Sequence, residues 1–493
     1  MNKETFASYR QFFKNQLLED VVPFWLGSDL IDRQNGGFIT SVDRYGKSYN
    51  DDKSVWFQGR CVWTFSHLMN RYGVRPELLE DVKAGVKFMN EKCIDSDGRM
   101  FFTVTKEGLP LRKRRYMYSV SFYVISMAEY AALTGDKEAL KKAEDCFELM
   151  LKMFRDPSSD PYVCTPKSYA STRQDRASAV PMVLVSSAQL LRRCDPAKAD
   201  YYTEITEEMV HAIIDYHYKP EFKCVLECVG PNGEFIDNPA GRCINPGHSI
   251  ENSWFLMNEA VYTGDKELLQ KALNILEWSL EWGWDKEYGG VVYYTDVSHR
   301  PPEQLEHDMK LWWVHNEVLI ATLMAYNITG EKKYWDWFER AFHYSFGHFS
   351  DKECGEWYGY LHKDGTVSHT QRARCGKVLS TCPAVLCIAS VFSADSRTAS
   401  PQAISCNCRN ILLPMTVFAA VGNFFDKYMQ KIAKTPCKKR CDVLQSISFV
   451  RRGKTLHTPQ SCRRVRPKGA GSALIQNRGG GATRKEQKCL LFP

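Results

Sequence analysis

The sequence predicts an all-α protein, an (α/α)6 barrel of six helical hairpins joined by short β-hairpin loops. Two interleaved series of turns predict it. The first is a helix junction that recurs as Leu133-Thr134-Gly135-Asp136-Lys137-Glu138, Tyr262-Thr263-Gly264-Asp265-Lys266-Glu267 and Ile328-Thr329-Gly330-Glu331-Lys332-Lys333. Weaker forms lie at Arg71-Tyr72-Gly73 and around Cys194-Asp195-Pro196; from Gly73 to Gly135, Asp195, Gly264 and Gly330 the steps are 62, 60, 69 and 66 residues. A glycine ends one helix in the left-handed conformation, and an aspartate can cap the next.

The second series is a set of glycine-bearing, β-like turns between those junctions. They read Asn35-Gly36-Gly37-Phe38, Asp97-Gly98-Arg99-Met100, Pro231-Asn232-Gly233-Glu234, Tyr288-Gly289-Gly290-Val291 and Lys363-Asp364-Gly365-Thr366, and the slot near Tyr162 has no glycine. Helical apolar periodicity lies near the junctions, as in Leu268–Trp278. Each unit therefore reads helix, tight loop, helix, hairpin, and about six units are present. An open solenoid would put the polar and aromatic residues of several repeats on a concave face. Closure into a barrel gathers them around a central pocket, with the long hairpin loops at one end, and is the arrangement favoured here.

With 493 residues the chain can bury a large core and hold roughly one to three domains. The N-terminal stretch has no apolar run of the signal-peptide kind, which makes a cytoplasmic location the expectation. The longest apolar stretch, residues 411–425, contains Pro414 and is too short to span a bilayer. The 18 cysteines are irregularly spaced, and neither Cys224/Cys228 nor Cys437/Cys441 has a partner pair at zinc-site spacing. No P-loop, dinucleotide fingerprint or His-Glu-x-x-His motif occurs, so no redox cofactor or obligatory metal is expected.

The net charge of +7 conceals two kinds of sequence. Residues 371–493 carry 22 Lys+Arg against 4 Asp+Glu, a net of +18, whereas residues 1–370 carry −11. All 12 tryptophans precede residue 371, and half the cysteines follow it. The domain reading is a barrel over 1–370 and, over 371–493, a basic cysteine-rich tail with no domain and no nucleic-acid-binding motif.

Three stretches carry candidate chemistry. In Lys310-Leu311-Trp312-Trp313-Val314-His315-Asn316-Glu317, Trp313 and Glu317 are i,i+4 neighbours on a helix. An indole beside a carboxylate suits a sugar, and a core helix with one acid is the plainer reading. Arg60, among the aromatics of Asp52–Arg60, can hold an oxyanion with its donor fork, or simply snorkel over Trp63. In Pro246-Gly247-His248-Ser249-Ile250-Glu251, His248 falls in a first helical turn and Glu251 shares its face, the layout of a general base oriented by a carboxylate or of a capped helix start. His211 and His217 read as structural, and His67, His343 and His348 as core or surface residues.

Four motifs together resemble the N-acylglucosamine 2-epimerase family: Gln58-Gly59-Arg60, Ala179-Val180-Pro181-Met182, Gly247-His248-Ser249-Ile250-Glu251-Asn252, and Lys310 to Glu317. Order and spacing agree over roughly residues 1–370, and the second and fourth are closer to N-acyl-D-glucosamine 2-epimerases than to cellobiose 2-epimerases. The resemblance implies an (α/α)6 barrel, usually a homodimer. It further implies reversible conversion of N-acetylglucosamine to N-acetylmannosamine, on the route to or from sialic acids. It implies no required cofactor, and leaves room for a nucleotide effector. Inverting C2 needs ring opening, a base on each face of the enediolate and a cation at its oxygen. On this reading His248 is one acid/base, Glu251 orients it, Arg60 holds the enediolate oxygen, and Glu317 with Trp312 and Trp313 holds the sugar.

The pattern breaks after Thr370. The family's second catalytic histidine, in a segment like Lys-Gly-Pro-Phe-His-Leu-Pro-Arg, is absent from the sequence as written. Reading the third base of each codon with the first two of the next, Gln371–Ala389 can encode that motif, codon choice permitting. A frameshift at or just before Gln371 is therefore expected, with the tail as out-of-frame translation and turnover and folding impaired. The competing functions are another sugar epimerase or aldose–ketose isomerase of the same fold, an (α/α)6 glycoside hydrolase, which needs two carboxylates across a bond, and a non-catalytic sugar- or protein-binding member.

Overall fold

The structure, a computed structural model, describes residues 3–113, 117–156, 159, 172 and 174–373. The chain divides into two compact units, Met1–Lys431 and Ile432–Pro493; every described residue lies in the first. The hairpin slot near Tyr162 and the tail from 374 onward, with the expectations placed on them, lie outside the described residues.

After α1 (Lys3–Asn15) and the short α2 (Val22–Leu26), ten helices come in pairs: α3 (Val55–Tyr72) and α4 (Pro76–Lys92), α5 (Tyr118–Thr134) and α6 (Lys137–Arg155), α7 (Ala179–Cys194) and α8 (Ala199–Tyr216), α9 (Pro246–Thr263) and α10 (Lys266–Gly283), α11 (Trp312–Thr329) and α12 (Lys332–His348). The first member of each pair packs on the first member of the next, so α3, α5, α7, α9 and α11 form an inner layer, and their partners back them. The core fills the space between the layers, and α1 covers α11 through Phe6 against Tyr326 and α12 through Phe6, Tyr9, Phe12 and Phe13 against Trp335, Phe338 and Phe342.

The junctions behave as the sequence predicts. Gly135, Gly264 and Gly330 end their helices at φ 75°, 78° and 75°, a left-handed conformation that costs a residue with Cβ about 1 kcal/mol or more. Asp136 and Asp265 each accept two backbone N–H bonds at the start of the next helix. Asp195 departs from the pattern: at φ −126° it leads into a single 3-10 turn, Pro196–Lys198.

What positions the site is a second device. Most inner helices are entered through a two-residue strand that pairs antiparallel with the hairpin of the next repeat. Lys53–Ser54 pairs with Thr103–Val104, Arg176–Ala177 with Cys228–Val229, Cys243–Ile244 with Thr295–Asp296, and Lys310–Leu311 with Tyr360–Leu361. The inner helices thus start at one level, at the hairpin end. Ala373 pairs in the same way with Val42 of the first hairpin, which closes the ring. Buried Arg372 pairs with Asp351, so the regular pattern continues three residues past the expected boundary at Thr370.

Candidate active site

On each inner helix a stripe recurring at helical spacing keeps partial solvent access while its flanks are sealed. It comprises Trp56, Arg60, Trp63 and His67 on α3, Tyr118, Phe122 and Ile125 on α5, Val183 and Ser186 on α7, His248, Glu251 and Trp254 on α9, and Trp313 and Glu317 on α11. These stripes line the centre of the ring, and the chemistry-bearing residues cluster near the helix starts.

His248 occupies the third position of α9, where the Asn245 side chain accepts its backbone N–H at 3.0 Å and Pro246 takes the first position. Its ring lies 5.5 Å from that of Trp313, tilted by 36°. Gly247 makes this approach feasible: a Cβ there would meet the Trp313 indole at 2.5 Å.

The carboxylate on His248 is Glu227, with both oxygens 3.1 Å from Nδ1. This corrects the expectation that Glu251 orients the ring. Glu251 does share the face, but the Nδ1 edge turns toward the hairpin between α8 and α9, where Glu227 sits. Burial lowers the His248 pKa, and the charge and hydrogen bond of Glu227, helped by Glu251, outweigh it, so the net shift is upward.

Burial raises the pKa of Glu251, opposed by the nearby charges of His248 and Arg60. Burial likewise raises Glu317 well above the carboxylate range, reinforced by Glu251 and opposed by a 2.7 Å hydrogen bond from Trp254 Nε1 and by Arg60. His248, Glu251, Arg60 and Glu317 are therefore gathered at one place, from α9, α3 and α11. The Arg60 guanidinium lies over the Phe122 ring at 4.2 Å.

Trp312 is corrected as well. Its side chain is in the core at 5 % exposure, one residue round the helix from Trp313, so of the two only Trp313 offers a face to the cavity. His67, on the inner stripe, is not a plain core residue: it stacks on Trp63 at 5.2 Å and bonds the buried Glu129. His217 is buried with Nδ1 on the Leu226 carbonyl, and burial pulls its pKa down to about 4. Among the described residues no group of three or more His, Cys, Asp or Glu is placed to hold a metal ion, and no helix is long and apolar enough to cross a membrane.

Sequence reasoning missed Glu227, Trp254 and the Tyr293–Tyr294 pair beside Trp313. One signal for Glu227 was available: it is an acid inside the otherwise apolar run Cys224-Val225-Leu226-Glu227-Cys228-Val229.

Fold and site together define a barrel enzyme of the sugar-isomerising kind, with a histidine–carboxylate pair, a guanidinium and an indole around one cavity. The chain matches the N-acylglucosamine 2-epimerase (GlcNAc 2-epimerase) family over residues 37–378, and it belongs to that family. It is 34% identical to the N-acylglucosamine 2-epimerase of Bos taurus over 419 residues, covering 81% of this chain and 98% of that one. It is 33% identical to that of Rattus norvegicus over 373 residues, covering 75% and 88%. Among solved structures it resembles cellobiose 2-epimerase from Bacillus thermoamylovorans B4167, with a TM-score of 0.67 at 20% identity over 78% of this chain and 99% of that one.

Proposed function

We propose that this protein is an N-acyl-D-glucosamine 2-epimerase that interconverts N-acetylglucosamine and N-acetylmannosamine. The observation that carries the reading is the His248–Glu227 pair facing the same cavity as Arg60, Glu251 and Glu317. Once the sugar ring opens, the C2 proton is acidified by the C1 aldehyde. His248 Nε2 removes it, Arg60 takes the negative charge that develops on the enediolate oxygen, and return of a proton to the other face inverts C2. A positioned donor of the Arg60 type contributes about two to three powers of ten in rate. Glu251 and Glu317 hydrogen-bond the sugar hydroxyls, and the Trp313 face covers the C–H surface of the sugar. No cofactor takes part.

The second acid/base belongs to the segment beyond Thr370, where the sequence leaves the family pattern. On this reading the chain as written turns over slowly, and a chain with the frame restored turns over fast. The same reading makes the protein a cytoplasmic homodimer acting on a free amino sugar of sialic acid metabolism, with no nucleic-acid or membrane partner, and allows a nucleotide effector. A glycoside hydrolase would use the Glu251–Glu317 pair but would leave the His248–Glu227 pair without a task.

The test is proton NMR of each N-acetylhexosamine incubated with the protein in deuterated water, with a β-glycoside and a mannoside in parallel. Deuterium at C2 and slow appearance of the other epimer are expected. Glycoside cleavage without C2 exchange would overturn the function, and turnover equal to that of the frame-restored chain would overturn the impairment.

A further inference from the structure

We propose that Glu227 is a positioning residue for proton transfer, fixing His248 with its proton on Nδ1 so that Nε2 is the atom that works at the substrate. The inference rests on the epimerase reading and deepens it.

The geometry carries it. Both carboxylate oxygens of Glu227 stand 3.1 Å from Nδ1, and an ionised carboxylate can only accept, so Nδ1 must be the protonated nitrogen. Glu227 is itself fixed. Its backbone N–H donates to the Cys243 carbonyl at 3.1 Å, its carbonyl accepts from the Ser178 N–H at 3.0 Å, and the Ser178 hydroxyl donates to its carboxylate at 3.4 Å. The strand pairing of Arg176–Ala177 with Cys228–Val229 holds this hairpin against the entry to α7. On the other side the Trp313 ring limits rotation of the imidazole.

The remaining charged groups near His248 cannot substitute. Glu251, on the same helix, adds to the upward shift of the imidazole through its charge, but it is the oxygens of Glu227 that stand against Nδ1. Glu317 on α11 has its Oε2 occupied by the Trp254 indole. Arg60 on α3 carries the wrong sign. Glu227 supplies the carboxylate that is hydrogen-bonded to the distal nitrogen, which strengthens the base and stabilises the imidazolium formed when the C2 proton arrives. Proton balance is simple: the C2 hydrogen passes to Nε2, exchanges there with solvent, and a solvent hydrogen returns to C2. That exchange uses one base on one face, so with the epimer whose C2 hydrogen faces His248 it is measurable in this chain whatever its rate of inversion.

The test compares the full-length protein with Glu227→Gln. Two readouts are taken: the rate of deuterium uptake at C2 of each N-acetylhexosamine as a function of pH, and the tautomer and titration of His248 by nitrogen NMR, with the signal assigned from a His248→Asn protein. In the unsubstituted protein the Nδ1–H tautomer is expected. In E227Q the saturated exchange rate falls at least tenfold, a part of the about 10²–10⁴-fold that a general base contributes. KM stays the same, and the acid limb of the profile and the His248 titration both move to lower pH. E227D, which keeps the charge but withdraws it by one methylene, restores the limb in part.

An Nε2–H tautomer in the unsubstituted protein, or an E227Q titration that coincides with it, overturns the proposal. If E227Q does not fold, the tautomer and the E227D profile decide. If the unsubstituted protein exchanges no C2 hydrogen while His248 still titrates lower in E227Q, the epimerase reading fails and the positioning role stands.

Discussion

Trp254 donates its indole N–H to Glu317, Nε1 to Oε2 at 2.7 Å, tying α9 to α11 where both face the cavity. The bond fixes one carboxyl oxygen and leaves the other for substrate. Trp254→Phe keeps the ring and removes the donor. A buried acceptor left unpaired costs about 1–3 kcal/mol. Denaturant unfolding should show a loss on that scale, with KM for the amino sugar raised more than kcat is lowered. Unchanged KM with lost stability would make Trp254 a packing residue alone.

Burial holds the Glu317 carboxyl far above its usual range. A carboxyl whose folded pKa is raised favours folding least where the unfolded chain is ionised. Stability therefore falls as pH climbs above the unfolded value, about 4.3. Glu317→Gln removes that penalty, so the substituted protein should be the more stable at pH about 8, and the difference should shrink toward pH about 4. Denaturant midpoints across that window test it, and a gap that does not vary with pH would sink the argument.

His248 behaves in the opposite sense. Its folded pKa lies above that of a free imidazole, because Glu227 and Glu251 outweigh the burial that lowers it. Its contribution to stability is complete below about 6.5, the free value, and is lost as pH rises through the higher folded one. The melting temperature of the native protein should exceed that of His248→Gln by most at acid pH, and the gap should close above neutrality. C2 exchange needs the neutral imidazole and should rise over the same interval.

The fold was legible because its punctuation is local. Gly135, Gly264 and Gly330 need only their own neighbours to end a helix, and the helical period does the rest. Arg60, His248, Glu251, Trp313 and Glu317 were legible because each sits on an inner helix in a recognisable run. Glu227 was not, because it reaches His248 across 21 residues, through a register that only the assembled sheet sets. Trp312 misled for a related reason. Adjacent residues on a helix diverge by about 100°, and the sequence does not say which of two tryptophans faces the cavity.

A repeated buried ion pair was not legible in the sequence either. Lys53 donates to Asp32 at 2.8 Å and to the Gly36 and Lys106 carbonyls; Lys310 donates to Asp285 at 2.6 Å and to the Lys363 carbonyl. Both ammonium groups are fully buried, one residue before the last strand position that leads into α3 and α11. In each case the aspartate opens a hairpin whose glycine follows four residues later, Gly36 or Gly289, and donates back to it. Arg372 with Asp351 and Gly355 repeats the arrangement at the point where the ring closes. Each lysine pair locks a hairpin to the entry strand of the inner helix that follows it, α3 or α11, and so sets the level at which Arg60 and Glu317 stand. Breaking a buried pair from one side leaves an uncompensated charge and costs about 3–5 kcal/mol. Lys310→Met should lose that much in denaturant unfolding. Lys310→Met combined with Asp285→Asn should recover part of it, because no bare carboxylate then remains. Equal losses in the single and double variants would mean that the pair acts through packing and not through charge.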